Sequence, residues 1–267
     1  MKLGRPRGVT DDDADTEASR RAWPDGYRAA LSISFDDARR SQIDLGVPVI
    51  DQLGVRATFF VLPSGVDRVR RGWQEAIAAG HEVGNHTARH PCSANFSWSR
   101  HHAIEDLDLD GIAAEIADGN AFIAETLGVE PQSFAYPCGH TFVGRGRETR
   151  SYVPLVAERF LAGRTFNDVS TNSPLHGDLA QIRARNSDGL TFEQLRPTLE
   201  ATLDEGAWLV LGGHEVGHRG NHETTMPATL AGIVEWCRAH DVWIDTIGGV
   251  ATRIRALRQA APANRSA

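Results

Sequence analysis

No run in this sequence approaches the roughly 18 consecutive apolar residues that a membrane helix needs. Its opening stretch, MKLGRPRGVTDDDADTEASRR, also lacks the apolar core of a secretory leader. These absences predict a cytoplasmic chain with no membrane partner. An excess of basic charge is missing too. Lys and Arg number 28 against 35 Asp and Glu, a formal net charge of -7, so there is no broad basic footprint for nucleic acid or anionic lipid. A small neutral or cationic substrate is easier to accommodate. Cysteine is scarce: Cys92, Cys138 and Cys237 are odd in number and widely spaced. That pattern argues against a disulfide framework and fits a reducing compartment. Each thiol reads as a small buried hydrophobe or a bystander.

What is present is enough apolar material for a sizeable core. With 267 residues, 41% of them hydrophobic and 24% charged, the chain suits one main domain. Residues 1–24 are polar, acid-rich and aperiodic, and read as an extension that is disordered or hugs the surface. Residues 25–255 carry the domain, and 256–267 form a loose tail.

Within the domain, apolar runs of strand length alternate with amphipathic stretches, which is the signal of parallel βαβ units. Strands are expected at 29–35, 57–61, 81–85, 133–136, 208–211 and 242–244, with a weaker pair near 164–166 and 180–185. Helical periodicity is clearest at 41–53, 67–79, 105–127, 191–205 and 227–240. Gly54, Gly80, Gly128 and Gly206 follow four of these helices, where a left-handed cap is commonly needed. Seven or eight such units predict a distorted (β/α) barrel of the triosephosphate-isomerase type, an α/β architecture whose chemistry gathers at the C-terminal ends of strands.

The first expected strand ends in Asp36-Asp37. Adjacent acids there can simply cap the next helix. The third ends in Asn85-His86-Thr87-Ala88-Arg89-His90. Two imidazoles at i and i+4 meet on one face of a helical turn and can reach a single metal ion. Together an acid and two histidines make a 2-His-1-carboxylate site that leaves positions open for water and substrate.

The stretches SISFDDA, ATFFV, GHEVGNHTARH, FAYPCG and LVLGGH, in this order, resemble the polysaccharide deacetylase family, carbohydrate esterase family four, in a branch with AYP in its third motif. The resemblance implies a divalent-metal hydrolase that removes acetyl groups from N- or O-acetylated carbohydrate by attack of metal-bound water. The metal it implies is Zn2+, with Co2+, Ni2+ or Mn2+ as alternatives. Position by position, Asp36 matches the catalytic base, Asp37, His86 and His90 the metal ligands, and His214 the general acid. By position the backbone N–H of Cys138 would stabilise the oxyanion.

The string His214-Glu215-Val216-Gly217-His218 also fits H-E-x-x-H, the signature of zinc proteases. That signature must lie inside a helix, whereas here a strand-like run and Gly212-Gly213 precede it and Gly217 interrupts it. It therefore reads as a strand ending in His214, with His218 and His222 in a solvated loop.

Two departures from the family pattern matter. The arginine that usually orients the catalytic aspartate is replaced by Ala135, and Arg164 is the candidate substitute, a surface salt-bridge role being its alternative. For the acid that tunes His214, Asp188 is the first candidate and Asp168 the second, although Asp-Gly in a turn has an ordinary structural reading. The loops 92–102 and 139–151 follow strand ends and would form the cleft. There Phe96, Trp98, Tyr136, Phe142 and Arg145 are candidates for sugar contact, or for pinning the loops down.

Three functional readings stand. The first is a carbohydrate deacetylase acting on an acetylated sugar or oligosaccharide. The second keeps the fold and metal but hydrolyses a non-sugar linear or cyclic amide, because fold does not fix substrate. The third is a binding protein with a decayed site, which the retained Asp36, Asp37, His86, His90 and His214 argue against.

Overall fold

A computed structural model of the chain describes residues 11–168, 170–219 and 221–260. Eight strands form its main sheet: β1 (Ala29–Asp36), β2 (Thr58–Val61), β3 (Glu82–Asn85), β4 (Ser133–Ala135), β5 (Ala162–Arg164), β6 (Ala184–Asn186), β7 (Trp208–Gly213) and β8 (Val242–Ile244). All pairings are parallel, in the order β5-β4-β3-β2-β1-β7-β6, with β8 beside the first half of β1. The two ends of this sheet nearly meet. Ile182, just ahead of β6, bridges Arg164 of β5, and its N–H donates to Gly163 O at 2.7 Å. The result is the nearly closed (β/α) barrel that the alternating pattern predicts.

β1 shows how the sequence aims its acid. Every one of its eight residues is buried, as expected of a parallel strand covered on both faces. Leu31, Ile33 and Phe35 pack outward against helix residues such as Ile50, Trp73 and Leu199. Ala30 belongs to a second cluster with Ala135, Ala162, Ala184 and Trp208, contributed by neighbouring strands. Because side chains alternate across a strand, Ser32, Ser34 and Asp36 share the face of Ala30. The carboxylate of Asp36 therefore stands at the C-terminal end of the inward row.

The helices around the barrel are α1 (Asp11–Arg20), α2 (Val47–Gln52), α3 (Pro63–Val66), α4 (Arg70–Ala78), α5 (Leu109–Leu127), α6 (Val153–Arg159), α7 (Phe192–Glu205), α8 (Pro227–Ala239) and α9 (Ile247–Ala260). Gly128 and Gly206 end α5 and α7 in the left-handed conformation. The helix expected at 41–53 is continuous from residue 40 to 52 but widened in its first half. A wide turn over Gln42–Gly46 precedes α2, because Pro48 has no N–H to continue the ladder. α5 starts later than periodicity suggests: Asp108 caps it, accepting the Gly111 N–H at 2.8 Å, while Glu105 turns away to Ser93 and Ala94.

Both chain ends carry helix among the described residues. The extension carries α1, and Ala22 and Trp23 are buried, with Trp23 Nε1–H donating to Gly206 O at 2.9 Å. The tail is helical to Ala260, since Ile247, Val250, Ala251 and Ile254 place a buried stripe at helical spacing. Residues 1–10 and 261–267 lie outside the described residues. Among the described residues, no helix is long and apolar enough to cross a membrane.

Candidate active site

Asp36, Asp37, His86, His90 and His214 converge at the C-terminal ends of β1, β3 and β7. The two aspartates are adjacent in sequence but differently engaged. Asp36 Oδ1 accepts from Arg164, which is wholly buried at the end of β5. Asp37 Oδ1 lies 3.7 Å from His86 Nε2 and 3.7 Å from His90 Nε2, while its Oδ2 accepts from Arg39 Nη2 at 3.0 Å. His86 Nδ1 sits 2.8 Å from Ala135 O. A carbonyl can only accept, so Nδ1 carries the proton and Nε2 offers its lone pair toward Asp37.

Backbone conformation is unusual here. Eight residues other than glycine have positive φ among the described residues, and Asp37, Ala38, Thr87, His90 and Cys138 are five of them. Each such residue costs on the order of 1–3 kcal/mol and persists where its surroundings over-determine it. Buried side chains supply that determination. Asn85 Oδ1 accepts the Thr87 N–H, and Thr87 Oγ1 accepts the His90 N–H at 3.0 Å. Glu115 of α5, 1% exposed, accepts the Arg89 N–H at 2.9 Å, the Arg89 guanidinium and His102 Nε2 at 3.0 Å.

Charge follows from this geometry. Burial pushes the Asp37 carboxyl up, but His86, His90, His214 and Arg39 together outweigh it and hold it below its ordinary value. Burial, then the neighbouring His86, push His90 down to about 4 against the pull of Asp37 and Asp36. It is thus a neutral imidazole near pH 7, the form that can ligate a metal. Burial lowers His214 as well. Its hydrogen bond to Asp188 and the charges of Asp36, Asp37 and Asp188 more than reverse that, so its pKa stands above the usual imidazole value.

Asp37, His86 and His90 offer ligand atoms within 4.8 Å of one another. One carboxylate and two imidazoles with lone pairs turned inward fit a divalent cation such as Zn2+. His90, Cys92 and Cys138 also converge, but the two sulfurs are joined as a disulfide and are not available as thiolates. This bridge corrects the expectation of three free thiols. Wide sequence spacing concealed that the loops after β3 and β4 meet in space. Cys237 alone is free, and it is buried.

The remaining expectations divide. Arg164 and Asp188 stand at the site: Asp188 Oδ2 lies 2.7 Å from His214 Nδ1, and its Oδ1 accepts from the His214 N–H at 3.2 Å and from Thr225 at 2.8 Å. Asp168 instead accepts from Thr165 at 2.6 Å. Cys138 and Trp98 line a cleft of about 830 Å³ beside Asp37, His90 and His214. Tyr136 does not reach it. That ring is buried against Phe134 and Tyr152, and its hydroxyl donates to Ala180 O at 2.7 Å. Phe142 and Arg145 stand outside the cleft lining, Arg145 pairing with Asp106 at 2.6 Å. The H-E-x-x-H stretch is a bend at His214 followed by a short strand, Glu215–Val216. No helix presents its two histidines together.

Gln42 was not visible as a site residue. It is buried in the wide turn and donates to Asp36 O at 2.6 Å and His214 O at 2.7 Å, tying β1 to β7. Its sequence neighbourhood carries no signal for this. Glu115 does have one, as an acid within the apolar stripe Ile112, Ile116 and Ile123 of α5. The net charge of the chain also conceals a local feature. Arg39, Arg40, Arg68 and Arg89 line the cleft, so its local charge does not follow the acidic whole.

The sequence model of the polysaccharide deacetylase family matches residues 25–150. Chitin deacetylase 1 of Cryptococcus neoformans var. grubii is 29% identical over 107 residues, 40% of this chain and 20% of that protein. A gellan lyase of a Bacillus species is 28% identical over 142 residues, 53% of this chain and 5% of that protein. The chain thus spans a fifth or less of these two relatives. Among solved structures, a polysaccharide deacetylase assigned in Mycobacterium smegmatis superposes with a TM-score of 0.64 at 20% identity, covering 92% of this chain and 96% of that one. An allantoinase superposes with a TM-score of 0.63 at 16% identity, over 95% and 98%. At such identities these two structures establish the shared barrel alone.

Proposed function

We propose that this chain, whose residues 25–150 belong to the polysaccharide deacetylase family, is a divalent-metal-dependent hydrolase that removes acetyl groups from an N- or O-acetylated carbohydrate. The family match supports a carbohydrate deacetylase. One observation carries the finer reading. Asp36 is held by Arg164 while the adjacent Asp37 faces two imidazoles, so one acid is free for proton transfer and the other for ligation.

Asp37, His86 and His90 would hold the metal, Zn2+ by its donor set. When bound, it lowers the pKa of water and polarises the acyl carbonyl. Asp36, oriented by Arg164, accepts the proton as water adds to the acyl carbon. The backbone N–H of Cys138, in a turn on the cleft wall, stabilises the charge on the carbonyl oxygen. His214, fixed through Nδ1 by Asp188, gives its Nε2 proton to the departing nitrogen or oxygen as the bond to carbon breaks. Acetate and the free amine or alcohol result.

Nothing in the cleft favours a protease or a decayed site, and the non-sugar amide remains the second reading only through the generality of this chemistry. The Cys92–Cys138 bridge favours an oxidising compartment over the cytoplasm expected from the sequence, because cytosolic thiols are kept reduced. The test is acetate release by zinc-loaded protein from N-acetylated chitooligosaccharides, acetylated xylan and peptidoglycan fragments. Release from at least one supports the reading. No release from protein holding one zinc per chain contradicts it and moves the choice to amides without a sugar.

A further inference from the structure

The chain as a whole is acidic, but its cleft is not. Arg39 and Arg40 follow β1, Arg68 follows α3, and Arg89 stands between the two histidines after β3; all four line the cleft. Three carboxylates share the lining, Asp37, Glu215 and Glu223, and Asp37 is turned toward His86 and His90. Since β1, β2 and β3 are successive neighbours in the sheet, the guanidinium groups come from one side of the barrel mouth. They form an arc beside the metal-binding residues.

Existing partners decide which arginine is available to a ligand. Arg39 donates to Asp37 at 3.0 Å and Arg40 to Asp44 at 2.9 Å, while Arg89 is tied to the buried Glu115. Arg68 has no carboxylate partner among the described residues. Its segment is nevertheless closely fitted to the site, because a Cβ on Gly65 would lie 2.5 Å from Ala38 O. In the loop after β3, Trp98 lines the same cleft, is 60% exposed, stacks on Phe96 with ring centroids 5.4 Å apart, and lies 5.9 Å from the His90 ring. A flat indole beside the reacting centre suits the apolar face of a sugar ring.

We infer that the acyl group is removed from an acidic glycan, one whose sugars carry carboxylates next to the acylated residue. The sugar stacks on Trp98 and a neighbouring carboxylate pairs with Arg68, whose planar fork matches a carboxylate with two parallel N–H donors. A neutral chitin-like chain would leave that guanidinium without a counter-charge in the complex. For its chemistry this inference rests on the deacetylase reading above; for binding it does not.

The test compares zinc-loaded protein on acetylated oligouronates and on the same oligomers with their carboxyl groups reduced to alcohols, acetate being the readout. The acidic substrate should be preferred by about tenfold or more in kcat/KM, the size expected for one charge-assisted contact. Arg68→Ala should remove most of that preference through KM, Arg68→Lys should restore part of it, and added salt should shrink it. Equal or better turnover of the reduced oligomers overturns the inference and leaves the deacetylase reading standing. So does a preference that Arg68→Ala leaves unchanged, or one transferred to a sulfated neutral glycan. If neither substrate releases acetate, calorimetric binding of the unacetylated oligouronate decides separately. Binding that weakens about tenfold in Arg68→Ala supports the acidic ligand without the chemistry, and no binding overturns it.

Discussion

Arg164 and Asp36 are 128 residues apart in sequence and meet as a buried ion pair at the mouth of the barrel. The guanidinium is sandwiched, 4.9 Å from the Phe60 ring centroid and 5.4 Å from that of Phe166. Removing one member of such a pair leaves the other charge buried without a partner, typically at a cost of about 3–5 kcal/mol. Arg164→Met should therefore lower stability by about that much, read by urea unfolding. It should also lower kcat at least about a hundredfold while KM changes little, because the base loses its orientation. A surface-type effect, within about 0.5 kcal/mol and with native kcat, would contradict the pairing.

How far this pair was legible shows the reach of the sequence. The strand ends, the paired aspartates and the histidines at i and i+4 are local patterns, and the barrel follows from their alternation. Arg164 was nameable only as a replacement for an arginine absent at Ala135, because a contact across the barrel leaves no spacing to read. Gln42 and the Cys92–Cys138 bridge depend on loops meeting after closure, and nothing local announces them. The arginines of the cleft were not legible for a different reason: a net charge averages over a surface, while a substrate meets one arc of it. Tyr136 failed because it shares the face of Phe134 rather than that of Ala135, so its ring packs among Ile112, Ile116 and Val156 on the helix side of the sheet and not in the cleft.

Asp188 sets the alkaline side of the pH profile. In the proposed role of acid His214 must be protonated, and its hydrogen bond to Asp188 is the leading influence raising its pKa against burial. A raised pKa keeps the imidazolium present to higher pH, so native activity should fall on the basic side only above the ordinary imidazole range. Asp188→Asn removes the charge and should move that limb of kcat downward, with a lower plateau. An unmoved limb would show that another group sets it.

The disulfide couples the loop carrying His90 to the turn carrying Cys138. Titration of the unfolded native chain should find one thiol, that of Cys237, and three only after reduction. Closing a separation of 46 residues should stabilise the fold by roughly 2–4 kcal/mol, a loss expected in Cys92→Ala with Cys138→Ala. The same double variant should lose activity beyond its loss of stability, since the backbone proposed to bind the oxyanion is no longer tethered. Three thiols in the native chain would contradict this account.

Glu115 organises the histidine loop without reaching the side chains proposed to hold the metal. Glu115→Gln keeps the shape but weakens the contacts to Arg89 and His102. Zinc affinity should fall about tenfold or more, the usual effect of altering groups that orient ligands, as measured by competition with a chromogenic chelator. Unchanged affinity in a folded variant would assign Glu115 a purely structural role.

The division of labour between the two neighbouring aspartates is tested most directly by measuring bound zinc and acetate release together in Asp36→Asn and in Asp37→Asn. The account predicts that Asp36→Asn holds about one zinc per chain yet releases acetate at least about a thousandfold more slowly, combining loss of the base with loss of its pairing. Asp37→Asn should lose both the metal and the activity. Loss of zinc in Asp36→Asn with retention in Asp37→Asn, or near-native release by Asp36→Asn, would contradict it.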